Sequence, residues 1–140
     1  TKPGEVASRL LSGRKIMWFD PIRENNRVGV EILRNHMDAG NVIQESDLQA
    51  AKETLASDDI DLLISHWGHD LAVGPDGTRE SNAHSLLRMV KINNLAIPVL
   101  VFASGDYADI NRSAALKFGA FDYVDQFPDL FSRIEDLFGA

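Results

Sequence analysis

The chain contains no cysteine and no long uninterrupted run of apolar residues. The absence of cysteine excludes disulfide, thiolate and Cys-ligated zinc chemistry. No apolar run approaches the roughly 18 residues that a membrane-spanning helix requires, so we expect no membrane contact and a cytoplasmic location. The net charge of −7 argues against binding along a nucleic-acid backbone. What remains is the composition of an ordinary globular domain, with 44% apolar and 25% charged residues.

Strand signals alternate five times with helix signals after residue 15. We interpret residues 1–14 as an N-terminal extension or linker and residues 15–140 as one domain. The predicted strands are 15–19, 42–44, 60–65, 98–102 and 121–124. Helices are predicted at 24–38, after a Ser46–Gln49 capping box, at 82–93, at 107–118 and from about Pro128 onwards. This alternation predicts an α/β three-layer sandwich built on a five-stranded parallel sheet.

Two finer expectations concern single segments. Residues 66–80 are predicted to form a long loop, because Gly68, Gly74, Pro75 and Gly77 interrupt any regular structure. The fourth helix is predicted to bury Ile110, Ala114 and Phe118, which recur at helical spacing.

Four short motifs occur in order along the chain: Trp18-Phe19-Asp20 with Glu24-Asn25-Asn26, then residues 61–65, 98–104 and 119–124. Their order and spacing resemble the receiver domain of bacterial response regulators over roughly residues 15–138. The resemblance implies a flavodoxin-like fold with strand order 2-1-3-4-5. It also implies a site at the carboxyl edge of the sheet, where two acids and an acceptor aspartate hold Mg²⁺, and where a hydroxyl and a lysine contact the phosphoryl group.

The chain departs from that pattern at almost every position. Asp20 fills one acid position, but Pro21 follows it, and His66 stands where the acceptor aspartate is expected. Ala103 occupies the hydroxyl position with Ser104 beside it. The lysine position falls on Gln126 when counted from Tyr123-Val124, or on Phe127 when counted back from Pro128, and no lysine follows Lys117.

A single carboxylate does not hold a hard divalent cation firmly, because Mg²⁺ prefers several oxygen ligands. The resemblance therefore implies a degenerate pocket, and we expect Asp20 and His66 to contact each other directly. The leading hypothesis is a pseudo-receiver that is not an enzyme and needs no cofactor. It would act in bacterial signal transduction as a protein-interaction or dimerisation module.

The resemblance places the contact surface on the fourth helix, fifth strand and fifth helix. That surface would bind a protein partner or a second copy of the chain. The residues Trp67, Tyr107, Tyr123 and Phe127 are the candidate contacts, since exposed aromatic side chains often anchor partners.

The alternative hypothesis is a small-molecule or metal-binding domain that uses the crevice beyond the first and third strands. Open α/β sheets bind ligands at this crevice. Asp20, His66, His69 and Ser104 would line it, and His66, His69 and Asp70 would be the ligands of a metal. Their spacing matches no established metal motif, so we expect no metal.

Overall fold

The computed structural model describes residues 10–68, 71–73, 79–103 and 108–139. Its main sheet has five parallel strands, β1 (Lys15–Phe19), β2 (Asn41–Glu45), β3 (Leu62–Ser65), β6 (Val99–Phe102) and β7 (Asp122–Val124). The strands lie in the order β2-β1-β3-β6-β7. Numbered within the sheet alone, this is the order 2-1-3-4-5, so the predicted topology is confirmed.

Five α-helices cover the two faces of this sheet. A short 3₁₀ helix (Arg23–Asn26) precedes α1 (Arg27–His36), and α2 (Leu48–Ser57), α3 (Asn82–Ile92), α4 (Ala108–Lys117) and α5 (Phe127–Phe138) follow. Helices α1 and α5 contribute buried residues to one hydrophobic core. Helices α2, α3 and α4 contribute to the other. The three-layer sandwich is thereby confirmed.

Strand β1 supplies both cores at once. Ile16 and Trp18 belong to the core under α1 and α5, whereas Met17 and Phe19 belong to the core under α2, α3 and α4. None of these four side chains is more than 1% exposed. Successive side chains of a strand point to opposite faces, and a parallel sheet is buried on both, so an unbroken apolar run is what the strand requires.

The segment 66–80 contains more regular structure than the predicted loop. Strands β4 (Leu71–Val73) and β5 (Arg79–Ser81) pair antiparallel as a separate two-stranded sheet. The residues between these two strands, 74–78, lie outside the described residues. Ser81 then begins α3 directly, because its Oγ accepts the N–H of His84 at 3.1 Å.

Two predictions for the helices were wrong. Asp47, rather than Ser46, caps α2, since its Oδ2 accepts the Ala50 N–H at 2.9 Å. Ile110 is 69% exposed and not buried. In α4 the inward residue is Ala115, and a position five residues earlier lies about 140° away around the helix.

Residues 10–14 pack as part of the domain. Leu10 and Leu11 belong to the core under α1 and α5, and Leu11 is fully buried. The Leu11 N–H donates to the Met37 carbonyl at 3.0 Å. The Arg14 guanidinium lies 4.1 Å above the centre of the Phe138 ring. Residues 10–14, the last five of the segment that we interpreted as an extension, therefore contact both the end of α1 and the end of α5.

Gly29 on α1 allows the helix to approach the sheet closely. A Cβ atom at this position would overlap the ring of Trp18 and would lie 3.0 Å from Phe127 Cε1. The indole of Trp18 is fully buried and cannot move out of the way without opening the core. The glycine is thus required by packing between α1, β1 and α5.

The substitution Gly29→Ala should destabilise the fold by about 1–3 kcal/mol, because overpacking a closed core displaces neighbouring side chains. Urea denaturation measures the free energy of unfolding. Gly40→Ala is the matched control, since nothing lies within 4 Å of a Cβ placed there. Equal stability of the two variants would show that the contact of Gly29 with Trp18 is not restrictive.

Candidate functional site

Asp20 and His66 lie side by side at the carboxyl edge of the sheet. Phe19 and Ser65 are register partners on the adjacent strands β1 and β3, and each is followed directly by one of the two residues. The His66 N–H donates to the Phe19 carbonyl at 3.1 Å, and the Asp20 N–H donates to the Glu45 carbonyl at 3.0 Å. Both residues therefore begin their connections at the same edge of the sheet.

The Asp20 carboxylate closes a local turn. Its Oδ1 accepts the Ile22 N–H at 2.8 Å, across Pro21, and the residue is 9% exposed. Aspartate and proline suit such a turn, because the carboxylate accepts from the backbone two residues on and proline restricts φ. The backbone of the β1–α1 connection therefore occupies one of the two carboxylate oxygens.

The His66 side chain folds back over the β3–α3 connection. Its ring centre is 5.3 Å from that of Phe19, and its Nε2 is 3.4 Å from Asn82 Nδ2. Gly68 has a φ of +106°, and a Cβ there would be 3.2 Å from His66 Cε1. A side chain at residue 68 would therefore press on the imidazole. A direct contact between Asp20 and His66 stays a prediction.

Asn82 is a site residue that sequence reasoning missed. It is 7% exposed, it opens α3, and its amide reaches the His66 ring. The sequence signal was the start of a helix shortly after a turn-rich segment. That signal gives the position of the residue in the chain but not the direction of its side chain.

The positions expected to contact a phosphoryl group carry side chains that lack the expected hydroxyl and lysine. Ala103 has no hydroxyl, and its N–H donates to the Val124 carbonyl at 3.0 Å. Gln126 is exposed at the N-cap of α5 and makes no side-chain capping bond there. After β7 the only cationic side chain in the sequence is Arg133, which pairs with Asp122 and Asp136.

Phe127 extends an aromatic array across one side of this edge. Its ring stacks on Phe102 at 5.0 Å and on Phe131 at 6.0 Å between ring centres. The edge of Trp18 meets Phe102 at 6.0 Å. Rings at these separations are in favourable contact. An apolar array therefore stands where the resemblance implies a lysine.

Trp67 and Tyr123 pack together on the opposite face of the sheet. Their ring centres are 6.2 Å apart in an edge-on arrangement, and the Trp67 carbonyl accepts the Ala83 N–H at 3.2 Å. Tyr123 is only 5% exposed. Its ring therefore belongs to the core, which corrects the expectation that it serves as a surface contact.

The alternative ligand set is only partly described. His69, Asp70, Ser104 and Tyr107 lie outside the described residues, so the roles assigned to them remain predictions. Within the described part of the chain, no group of three or more His, Cys, Asp or Glu residues is arranged to hold a metal ion. No helix among the residues described is long and apolar enough to cross a membrane.

Solved receiver domains have the same fold. The receiver domain of the Francisella response regulator 1452 superposes with a TM-score of 0.67 at 18% identity, covering 91% of this chain and 98% of that one. The receiver domain of the histidine kinase CKI1 from Arabidopsis thaliana, in complex with Mg²⁺ and BeF₃⁻, gives 0.72 at 12% identity, covering 98% and 97%.

A third solved structure is a dimer. The beryllofluoride-activated receiver domain of NtrC4 from Aquifex aeolicus gives a TM-score of 0.67 at 16% identity, covering 89% of this chain and 96% of that one. No protein-family model and no curated protein matches the chain. At these identities the likeness shows the fold: the chain has the fold of response-regulator receiver domains.

Burial raises the pKa of the Tyr123 phenol above its ordinary value of 10.0, and the negative charge of Asp125 raises it further, whereas a hydrogen bond with Asn111 lowers it. The folded chain therefore holds this proton more tightly than the unfolded chain. This contribution to stability is complete below pH 10 and is lost as the pH rises towards the folded-state pKa.

We expect the free energy of unfolding of the wild type to fall more steeply than that of Tyr123→Phe between about pH 8 and about pH 11, because the variant lacks the buried phenol. Urea denaturation across this range measures both. Parallel pH dependences of the two proteins would contradict the assignment of the raised pKa to Tyr123.

Proposed function

We propose that this chain is a receiver-fold module that does not accept a phosphoryl group and that acts in bacterial signal transduction by binding protein. The observation that carries the proposal is His66 at the carboxyl end of β3, next in register to Asp20. The resemblance to receivers expects an acceptor aspartate there. An imidazole folded against Phe19 and Asn82 supplies no carboxylate at that point.

The charged groups at the crevice support the proposal that the chain does not accept a phosphoryl group. Enzymatic phosphoryl transfer depends on positioning and on neutralising the charge of the phosphoryl oxygens. Of the acid positions that the resemblance implies, Asp20 alone carries a carboxylate, and the Ile22 N–H already occupies one of its oxygens. At the lysine position, the two possible residues are an exposed amide, Gln126, and a stacked ring, Phe127.

The proposed contact surface is the face formed by α4, β7 and α5. Asp122 at the start of β7 is 8% exposed and accepts from Arg112 Nε at 3.2 Å and from Arg112 Nη2 at 3.1 Å. Arg133 Nη1 of α5 lies 3.9 Å from the second oxygen of the same carboxylate. One buried acid thus ties the three elements together, since a partly desolvated carboxylate requires such partners.

Apolar side chains are exposed beside this network. Leu116 lies one helical turn beyond Arg112 on α4 and is 41% exposed, and Phe121 directly precedes Asp122 and is 43% exposed. A rigid face that presents a leucine and an aromatic ring is suited to contact with another protein. The solved dimer of the NtrC4 receiver domain shows that a domain of this fold can dimerise, which supports the proposal.

An amide NMR titration with Mg²⁺ and then beryllofluoride should produce no saturable shifts at Asp20 or His66, because the cation and phosphoryl ligands are absent. The receiver domain of CKI1, whose solved complex contains both ions, is the positive control. Saturable shifts that extend from His66 into α4 would show that the site still switches.

The variant His66→Asp should gain Mg²⁺-dependent shifts at Asp20, since it places two carboxylates side by side. His66→Asn is the matched control and should not respond. This pair distinguishes a missing ligand from a crevice that is closed for another reason.

Dimerisation is tested with Leu116→Glu, which places a charge in the proposed interface. We expect the dimer dissociation constant from sedimentation velocity to rise by at least about tenfold. Ile22→Glu is the matched control, because Ile22 is 60% exposed and lies in the β1–α1 connection, which is not part of the α4–β7–α5 face. A wild type that stays monomeric throughout the concentration series, or equal effects of both variants, would exclude self-association through this face.

A further inference from the structure

A groove separates α3 from α4 on the side of the sheet opposite to α1 and α5. Its larger part has a volume of about 330 Å³ and a smaller part of about 150 Å³ adjoins it, with Lys91 and Phe118 lining both. Leu87, Val90 and Ile97 contribute apolar lining. The lining of the groove includes neither Asp20 and His66 nor the residues of the Asp122 network, although α4 borders both the groove and that network.

The lining of this groove carries charge of one sign. Arg88, Lys91 and Lys117 line it, and the described lining contains no aspartate or glutamate. Among the residues that the structure describes, neither Lys91 nor Lys117 forms an ion pair or a side-chain hydrogen bond. Both lysines are therefore available to a ligand.

The sequence reinforces this local charge. No aspartate or glutamate occurs between Glu80 and Asp106, although the chain as a whole contains 21 acidic and 14 basic residues. Helix α3 is thus free of acids in a protein whose net charge is −7. A cationic apolar groove on an anionic protein attracts an anionic ligand selectively, because the rest of the surface repels it.

Exposed isoleucines lie on both helices that border the groove. Ile92 on α3 is 70% exposed, and Ile110 on α4 is 69% exposed. Neither is among the residues that line the groove, so we assign the apolar contacts of a ligand to Leu87, Val90 and Ile97.

We propose that this groove binds an acidic peptide segment of a protein partner, one whose leucine-like side chains enter the apolar floor while its carboxylates meet Lys91 and Lys117. The apolar lining of the groove favours a peptide with apolar side chains over a small anion, which would use the cations alone. A peptide in a groove between helices is an established mode of recognition. The proposal does not depend on the α4–β7–α5 face or on the state of His66.

The test is an amide NMR titration with an end-blocked helical peptide that carries leucines on one face and glutamates on the other. We expect saturable shifts at Leu87, Lys91, Phe118 and Gly119. Raising the ionic strength from about 0.05 M to about 0.3 M should weaken binding, because the Debye length shortens. A peptide with lysine in place of every glutamate should not bind.

Charge reversal provides the matched variants. Lys91→Glu and Lys117→Glu should each weaken binding by about fivefold. Lys52→Glu makes the same change on α2, outside the lining of the groove, and should leave the dissociation constant nearly unchanged.

Several outcomes would overturn the proposal. These are an absence of saturable shifts, shifts confined to another face, equal binding of the acidic and basic peptides, and equal effects of all three lysine variants. Inorganic phosphate that competes fully with the peptide would assign the groove to small anions instead. Sedimentation of Lys91→Glu keeps this result separate from the proposed dimerisation, which that variant should leave intact.

Discussion

The burial of strand β1 on both of its faces is the constraint on which the remainder of the structure depends. Trp18 points into one core and Phe19 into the other, and each determines its surroundings. The indole of Trp18 leaves no room for a side chain at residue 29 and meets the edge of Phe102. Phe19 provides the ring against which His66 lies. The residues at the crevice thus depend on how the side chains of β1 pack in the two cores.

That coupling supports the proposal that the edge of the sheet carries no phosphoryl-transfer chemistry. Neighbouring carboxylates about 4 Å apart repel by several kcal/mol at intermediate dielectric, and a bound cation is needed to offset this. Here the Asp20 carboxylate closes a turn, His66 packs on its neighbours, and Phe127 stacks within an aromatic array. These side chains make contacts within the protein at positions where the resemblance implies contacts with a cation or a phosphoryl group. In the proposed function, the edge therefore stays in a single arrangement.

The sequence was sufficient for the features that depend on periodicity. The bounds of β1 and the parallel sheet follow from the alternation of strand and helix signals. The order of the strands and the expected adjacency of Asp20 and His66 came instead from the resemblance to receiver domains. The sequence was insufficient where one residue's direction depends on distant contacts. The orientation of His66 depends on Asn82 and on the positive φ of Gly68. Asp47 rather than Ser46 is the cap, because α2 begins one residue later than the capping box predicted. Ile110 is exposed because the rotation of α4 about its own axis places Ala115 inward.

Helix α4 borders both surfaces proposed to bind protein, and its two sides differ in chemistry. Arg112 and Leu116 face β7 and α5, where a buried aspartate holds the face in place. Lys117 and the adjoining Phe118 line the groove shared with α3. If the chain lacks a phosphoryl acceptor, as we propose, a change in the conformation of α4 needs a ligand that binds one conformation better than another. The acidic peptide proposed for the groove would contact this helix directly. From the two proposals together, we expect regulation to act through the groove and not through the crevice at His66.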